Sequence, residues 1–338
     1  MSEIDPTGAA PLTRRTMLTT ACAATAVAAR PALGQGEQSP CNPVPRARTK
    51  GPRVFLDYDQ VELDAAYDQS AYAPNREQLI KRYAANSDLT RARIGAPERM
   101  SYGPTEIERL DLYKAKHTRA PIHVFVHGGA WRLQSAKDCG FLAEPFVTAG
   151  AHLIVLDFAA VPVTGGSLTP LANQVRHAIA WIYRNAPRLG GDRNRIHLSG
   201  HSSGAHLAAV ALTTDWNEFG APDDVLKSGL CISGVFDLKP VRLSARSKYV
   251  RFDDAMEQAL SPIRHLEKLT APIVIAYGSE ETPEFQRQSR DFAAAIKAIG
   301  KPVEVIRGES YNHFELLETL ANPFGLTGRA ALAQMRLV

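Results

Sequence analysis

The stretch Gly200-His201-Ser202-Ser203-Gly204 constrains this chain more than any other. It reads G-x-S-x-G between a short strand-like run, Ile196 to Ser199, and an Ala/Leu-rich run, Ala205 to Leu212, long enough to be a helix. A serine on so tight a strand-to-helix turn takes a strained backbone conformation, and the residues two positions to either side must be small. Gly200 and Gly204 meet that demand. The strain holds the Ser202 hydroxyl clear of the turn, and the helix N-terminus behind it favours negative charge. The strand and helix on either side separate this pattern from an ordinary Gly/Ser loop.

Apolar runs recur along the chain in a strand–helix rhythm. Met100 to Tyr102 and Arg109 to Tyr113 read as a first strand pair, and Ile122 to Val126 as a buried strand. A helix around Ala136 to Ala149 precedes the strand Leu153 to Asp157. An amphipathic helix from Asn173 to Tyr183 leads to Ile196 to Ser199. Leu230 to Phe236, Pro272 to Tyr277 and Pro302 to Ile306 are further strands, with a helix from Arg287 to Ile299 between the last two. Alternation of this kind predicts an α/β fold with a parallel sheet covered on both faces. Before the sheet, Asp57 to Arg93 is helical in pattern and expected to pack as a cap. Leu238 to Leu266, rich in apolar residues and long for a connection, is expected to form a helical lid over the carboxyl edge of the sheet.

The 338 residues suffice for one large core, and 45% hydrophobic with 22% charged residues describe an ordinary globular chain. A net charge of +4 with no dense Lys/Arg run argues against nucleic acid as a partner. Residues 1–34 read as a targeting segment. Thr13-Arg14-Arg15-Thr16-Met17-Leu18 resembles a twin-arginine export signal, followed by a weakly apolar run from Met17 to Ala29 and small residues around Ala32 to Gly34. That run is too short for a permanent anchor. The expectation is a periplasmic or secreted protein that meets the export machinery, with a proline-containing linker over 35–54 and the folded domain over 55–338. Export permits a disulfide such as Cys41 to Cys139, while Cys231 reads as a small buried hydrophobe.

A serine nucleophile needs a base, an orienting acid and an oxyanion hole. The strand ending at Val126 is followed by His127-Gly128-Gly129-Ala130-Trp131, where two glycines let backbone N–H groups approach a developing oxyanion. The N–H of Ser203 completes the hole with those of Gly128 and Gly129. His127 is expected to fix the loop, and Trp131 to pack beneath it or line the pocket. The base follows the last strand, and of ten histidines only His313, in Tyr311-Asn312-His313-Phe314, stands there. The acid belongs in Gly278-Ser279-Glu280-Glu281-Thr282-Pro283-Glu284. Glu281 is the first choice, ahead of Glu280 and Asp237, and Glu284 reads as a helix cap. His201, His206 and Phe314 are candidate pocket residues with Trp131. His197, His201 and His206 run from strand through turn, so their spacing is not that of a metal site. With neither a P-loop nor a G-x-G-x-x-G after a strand, no cofactor is implied.

Taken together, His127 to Trp131, Gly200 to His206, Gly234-Val235-Phe236-Asp237-Leu238, Ser261-Pro262, Glu284 to Ser289 and Asn312-His313-Phe314 resemble the kynurenine formamidase-like branch of the α/β-hydrolases. That branch lies near the hormone-sensitive-lipase-type esterases, and the likeness spans roughly residues 56–320. The resemblance implies an α/β-hydrolase fold with a mostly parallel eight-stranded sheet, a Ser-acid-His triad and an HGG-type oxyanion loop. It implies hydrolysis of small esters or N-formyl amides. Glutamate stands at 281 where the formamidases carry aspartate. The reading that follows is a carboxylesterase working through an acyl-enzyme on a small-molecule ester. An arylformamidase-like amidase is the alternative. A non-catalytic binding protein is more remote, because every triad position is filled.

Overall fold

The computed structural model describes residues 49–338. The expected export signal, most of the linker and Cys41 lie outside the described residues. The linker expected through residue 54 gives way sooner, because β1 (Arg53–Phe55) and β2 (Tyr58–Asp59) already pair as a hairpin. Asp59 then caps α1 (Gln60–Ala66), its carboxylate accepting the Glu62 N–H while Glu62 reaches back to the Asp59 N–H. This reciprocal arrangement satisfies two otherwise orphaned donors. After one 3-10 turn comes α2 (Arg76–Ile94).

The sheet holds eight strands: β3 (Glu98–Ser101), β4 (Arg109–Tyr113), β5 (Ala120–Val126), β6 (His152–Leu156), β7 (Gly191–His201), β8 (Leu226–Ile232), β9 (Ile273–Gly278) and β10 (Val303–Gly308). Their spatial order is β10-β9-β8-β7-β5-β6-β4-β3. Only β4, against β3 and β6, pairs antiparallel. The connecting helices are α3 (Ala143–Thr148), α4 (Thr169–Leu189), α5 (Ser203–Leu212), α6 (Leu238–Leu243), α7 (Asp254–Ala259), α8 (Pro283–Ala298), α9 (Glu315–Glu318) and α10 (Leu326–Gln334).

Every residue of β5 and β6 is buried, which is why both read as unbroken apolar runs. Alternate side chains sort into two layers. Ile122, Val124, Val126, Ile154, Leu156, Cys231, Ile273 and Ile275 join the layer covered by α4, α5 and α8. Phe125, Leu153, Val155, Leu230, Ile232, Val274 and Ala276 join the other, with residues of the 136–148 segment and α10. Fully burying a side chain of this size contributes roughly 1.5–3 kcal/mol, so the centre of the sheet is its most firmly held part.

Several elements differ from their sequence expectations. Strand β8 ends at Ile232 rather than continuing to Phe236, because Ser233 turns left-handed (φ 55°). The helix expected over 136–149 is a 3-10 segment, Ala136–Leu142, followed by the short α3. The expected cap divides in two. The α1 segment reaches the carboxyl ends of the strands, whereas α2 lies along the second layer. There Ser87 Oγ donates to the Asp138 carbonyl at 2.9 Å and accepts the Phe141 N–H at 3.0 Å. The insertion over 238–266 is helical as expected. Ser261 closes it on itself, accepting the Leu238 N–H at 3.0 Å and donating to the Glu257 carbonyl at 2.6 Å. Cys139 and Cys231 are both buried, and burial pushes both thiols up. Among the described residues no helix is long and apolar enough to cross a membrane.

Candidate active site

The turn after β7 has the strained geometry the glycines foretold. Ser202 sits at φ 57°, ψ −123°, immediately before α5. A Cβ on Gly200 would lie 2.3 Å from the Gly204 carbonyl oxygen, and one on Gly204 would lie 2.1 Å from that of Val126. Such approaches exclude any side chain, so both positions require glycine. The left-handed serine costs on the order of 1–3 kcal/mol, supplied by the surrounding sheet.

Ser202, His313 and Glu281 come together from three separate loops. His313 Nε2 lies 2.9 Å from Ser202 Oγ, and its Nδ1 lies 2.8 Å from Glu281 Oε2. Glu281 has no solvent exposure. Its other oxygen accepts the Ser233 hydroxyl and the Gly278 N–H, each at 2.7 Å. The carboxylate is therefore held at both ends, and its hydrogen bond to Nδ1 fixes the tautomer in which Nε2 faces the serine as an acceptor. Glu280 points outward, exposed, and Asp237 caps α6 and meets Arg264, so neither alternative acid reaches the histidine.

The acid and histidine loops support each other. Tyr311 passes so close to Gly278 that a Cβ there would lie 2.1 Å from the Tyr311 carbonyl. Asn312 accepts the N–H groups of Phe314 and Glu315 and donates to Asn75 Oδ1 at 2.9 Å, which ties the histidine loop to the start of α2. The N-terminal segment braces the acid loop: the Ala66 carbonyl accepts from Thr282 Oγ1 at 2.7 Å and Tyr67 donates to Glu284 at 3.1 Å. Glu284 is no cap. It is a fully buried carboxylate paired with both Tyr67 and Arg287, at 2.5 Å from the guanidinium.

The loop after β5 runs against Ser202. A Cβ on Gly128 would lie 3.1 Å from Ser202 Cβ, and Gly129 turns left-handed at φ 98° beneath the Leu133 carbonyl. Ser203 Oγ accepts the Trp131 N–H at 3.0 Å, clamping this loop to α5. Ser203 opens α5, so its own N–H is one of the donors that a helix leaves without an internal partner. His127 fixes the loop as expected: its Nδ1 lies 3.0 Å from the Gly128 carbonyl oxygen and its ring stacks on Phe158 at 4.4 Å.

Beside Ser202 lies a narrow cleft lined by Tyr67, Ala130, Trp131, Ser203, Val235, Val241, Arg246 and Phe285. Trp131 is there, as the sequence suggested, but His201, His206 and Phe314 are not. His201 is buried behind the triad histidine, with Nε2 2.8 Å from the His313 carbonyl oxygen. His206 is used internally, with Nε2 2.7 Å from the Leu260 carbonyl oxygen and Nδ1 accepting the Trp131 indole N–H at 3.3 Å. Phe314 packs edge-on to His313, 5.1 Å between rings. Each ring's bonding or packing turns it away from the cleft. Burial lowers His206 to about 4 and His201 well below its usual value, so both are neutral props. Tyr67, Val241 and Arg246 carry no short sequence signal, because distant segments bring them to the serine.

Fold and site together define an α/β-hydrolase. A family model described as BD-FAE matches residues 110–238. A kynurenine formamidase from Danio rerio is 28% identical over 274 residues, covering 77% of this chain and 91% of that protein. Esterase LipQ from Mycobacterium tuberculosis is 28% identical over 222 residues, covering 59% of this chain and 52% of its own length. The esterase structure from Pyrobaculum calidifontis superposes with a TM-score of 0.62 at 19% identity, over 81% of this chain and 95% of that one. Its relatives include esterases and kynurenine formamidases, and this chain is a hydrolase.

Proposed function

We propose that the chain is a carboxylesterase that cleaves small carboxylic esters through an acyl-enzyme on Ser202. The observation that carries this reading is the unbroken line from Ser202 Oγ through His313 to Glu281. Ser202 Oγ attacks the carbonyl carbon and its proton passes to His313 Nε2. Backbone N–H groups of Gly128, Gly129 and Ser203 hold the oxyanion. The tetrahedral adduct collapses, the C–O bond breaks and the alcohol leaves with the proton from Nε2. Water, deprotonated by the same nitrogen, then releases the acid and restores Ser202. Glu281 stays ionised and stabilises the imidazolium formed in each half. The bound molecule is a small ester or amide, in keeping with the formamidases and esterases that the chain resembles.

One observation favours a second reading, formamidase activity on N-formyl aryl amides. The Danio rerio kynurenine formamidase aligns over 91% of its length, against 52% for esterase LipQ. Turnover of 4-nitrophenyl acetate and of an N-formyl arylamine by the purified protein separates the two. The esterase reading expects the larger kcat/KM for the acetate. The reverse order selects the formamidase, and turnover of neither removes both.

We also infer export through a twin-arginine route, supported by Arg14-Arg15 ahead of the apolar run from Met17. Fractionation of cells expressing the full chain should find it outside the cytoplasm. The variant carrying Arg14→Lys and Arg15→Lys should be retained, and equal export of both forms would rule the signal out.

A further inference from the structure

We propose that Arg246 makes this hydrolase selective for substrates bearing a carboxylate, an inference that rests on the hydrolase reading and deepens it. Arg246 lies on the insertion after α6 and lines the cleft that contains Ser202. It is half-buried, in a wall that includes Tyr67, Trp131, Val235, Val241 and Phe285. A guanidinium has five N–H donors in a planar fork that matches a carboxylate. Two are used, one to the Tyr249 hydroxyl at 2.5 Å and one to the Tyr67 carbonyl at 2.8 Å. These contacts orient the fork and leave its remaining donors for the cleft.

The surrounding charge favours an anion. Among the described residues, no carboxylate lies within 4.0 Å of Arg246 or of Arg132. The two guanidiniums share one aromatic ring: Arg132 sits 3.9 Å from the centre of the Tyr249 ring, and Arg246 sits 6.0 Å from it. The acids nearest this wall are committed elsewhere. Glu284 is paired with Arg287 behind Tyr67. Asp68 is held below the usual carboxylate range chiefly by the Ser70 N–H, to which its side chain turns at 2.9 Å, with Arg76 and Arg246 adding a weaker pull, so it offsets part of the Arg246 charge without contacting it. A cleft with largely apolar walls and a guanidinium that no carboxylate contacts attracts anionic substrates and strengthens their contacts. A purely structural Arg246, holding the insertion to the N-terminal segment, would not distinguish a charged substrate from a neutral one.

The test compares 4-nitrophenyl butyrate, neutral, with two anionic esters of similar size. 4-Nitrophenyl hemisuccinate carries its carboxylate on the acyl side, and 3-acetoxybenzoate carries it on the alcohol side. In Arg246→Gln the ratio of kcat/KM, anionic over neutral, should fall about tenfold or more for at least one anionic ester. Arg246→Lys should restore part of that ratio, and added salt should raise KM for the same ester in the native enzyme. The arm that responds identifies which side of the substrate meets Arg246. Unchanged ratios for both anionic esters in Arg246→Gln would overturn the proposal. So would an equal loss on charged and neutral esters, the mark of a structural latch. Failure of the native enzyme to cleave any of the three esters would instead strike the esterase reading itself.

Discussion

Replacing Glu281 with Gln is expected to lower kcat by about 10⁴-fold without unfolding the protein, as loss of a triad carboxylate does elsewhere. The reason is a proton count. Glu281 Oε1 accepts two hydrogens, from the Ser233 hydroxyl and the Gly278 N–H, while Oε2 accepts the Nδ1–H of His313. A glutamine can satisfy the first pair only by placing its oxygen there. Its NH₂ group then faces Nδ1, which must become an acceptor. The imidazole proton moves to Nε2, and the atom 2.9 Å from Ser202 Oγ can no longer take the serine proton. Ser202→Ala supplies the floor, about 10⁶ below the native rate. Glu280→Gln, at an exposed position on the same turn, should leave kcat within twofold. Steady-state turnover of 4-nitrophenyl acetate, with melting temperatures for each variant, decides the matter. A native-like rate in Glu281→Gln, or a severe loss in Glu280→Gln, would reassign the acid.

That a glutamate can hold this position follows from details absent from the one-dimensional pattern. The sequence placed three glutamates after β9, preferred Glu281 to Glu280 only by where the turn should bend, kept Asp237 as a third choice and read Glu284 as a cap. Ser233, displaced to φ 55° at the end of β8, supplies a hydroxyl that selects among them. The elbow and the β5 loop were legible because their constraints are local. Gly200 and Gly204 are dictated by backbone approaches closer than any Cβ allows, and strands β5 and β6 by burial on both faces. His313 was legible through chain order alone. The cleft wall was not, since Tyr67, Val241 and Arg246 meet only after α1 and the insertion have packed. His201 and His206 misled for a related reason. Standing one and four residues from Ser202, they look like pocket residues, yet their rings bond to the His313 and Leu260 carbonyls.

Those histidines belong to a larger group that makes the fold sensitive to acid. Desolvation lowers His123 to about 3, and His197 and His206 to about 4, and it also lowers His127, His152 and His201. Each is neutral in the folded protein at pH values where the unfolded chain, titrating near 6.5, has begun to bind a proton. More protons are then bound by the unfolded state, so stability rises with pH in this window and is lost as pH falls below about 6.5. For His123, His197 and His206 the loss is between about 2 and 3 kcal/mol each by pH 4.5, together about 8 kcal/mol, comparable to the whole stability of many domains. Urea denaturation at pH 8, 6.5, 5.5 and 4.5 should show the midpoint nearly constant over the first interval and falling steeply below it. His197→Asn should flatten that slope by close to one proton, even though losing the contact between His197 Nδ1 and Ser228 Oγ lowers stability at pH 8. A midpoint constant from pH 8 to 4.5 would mean that these buried rings are charged in the folded protein, contrary to their surroundings.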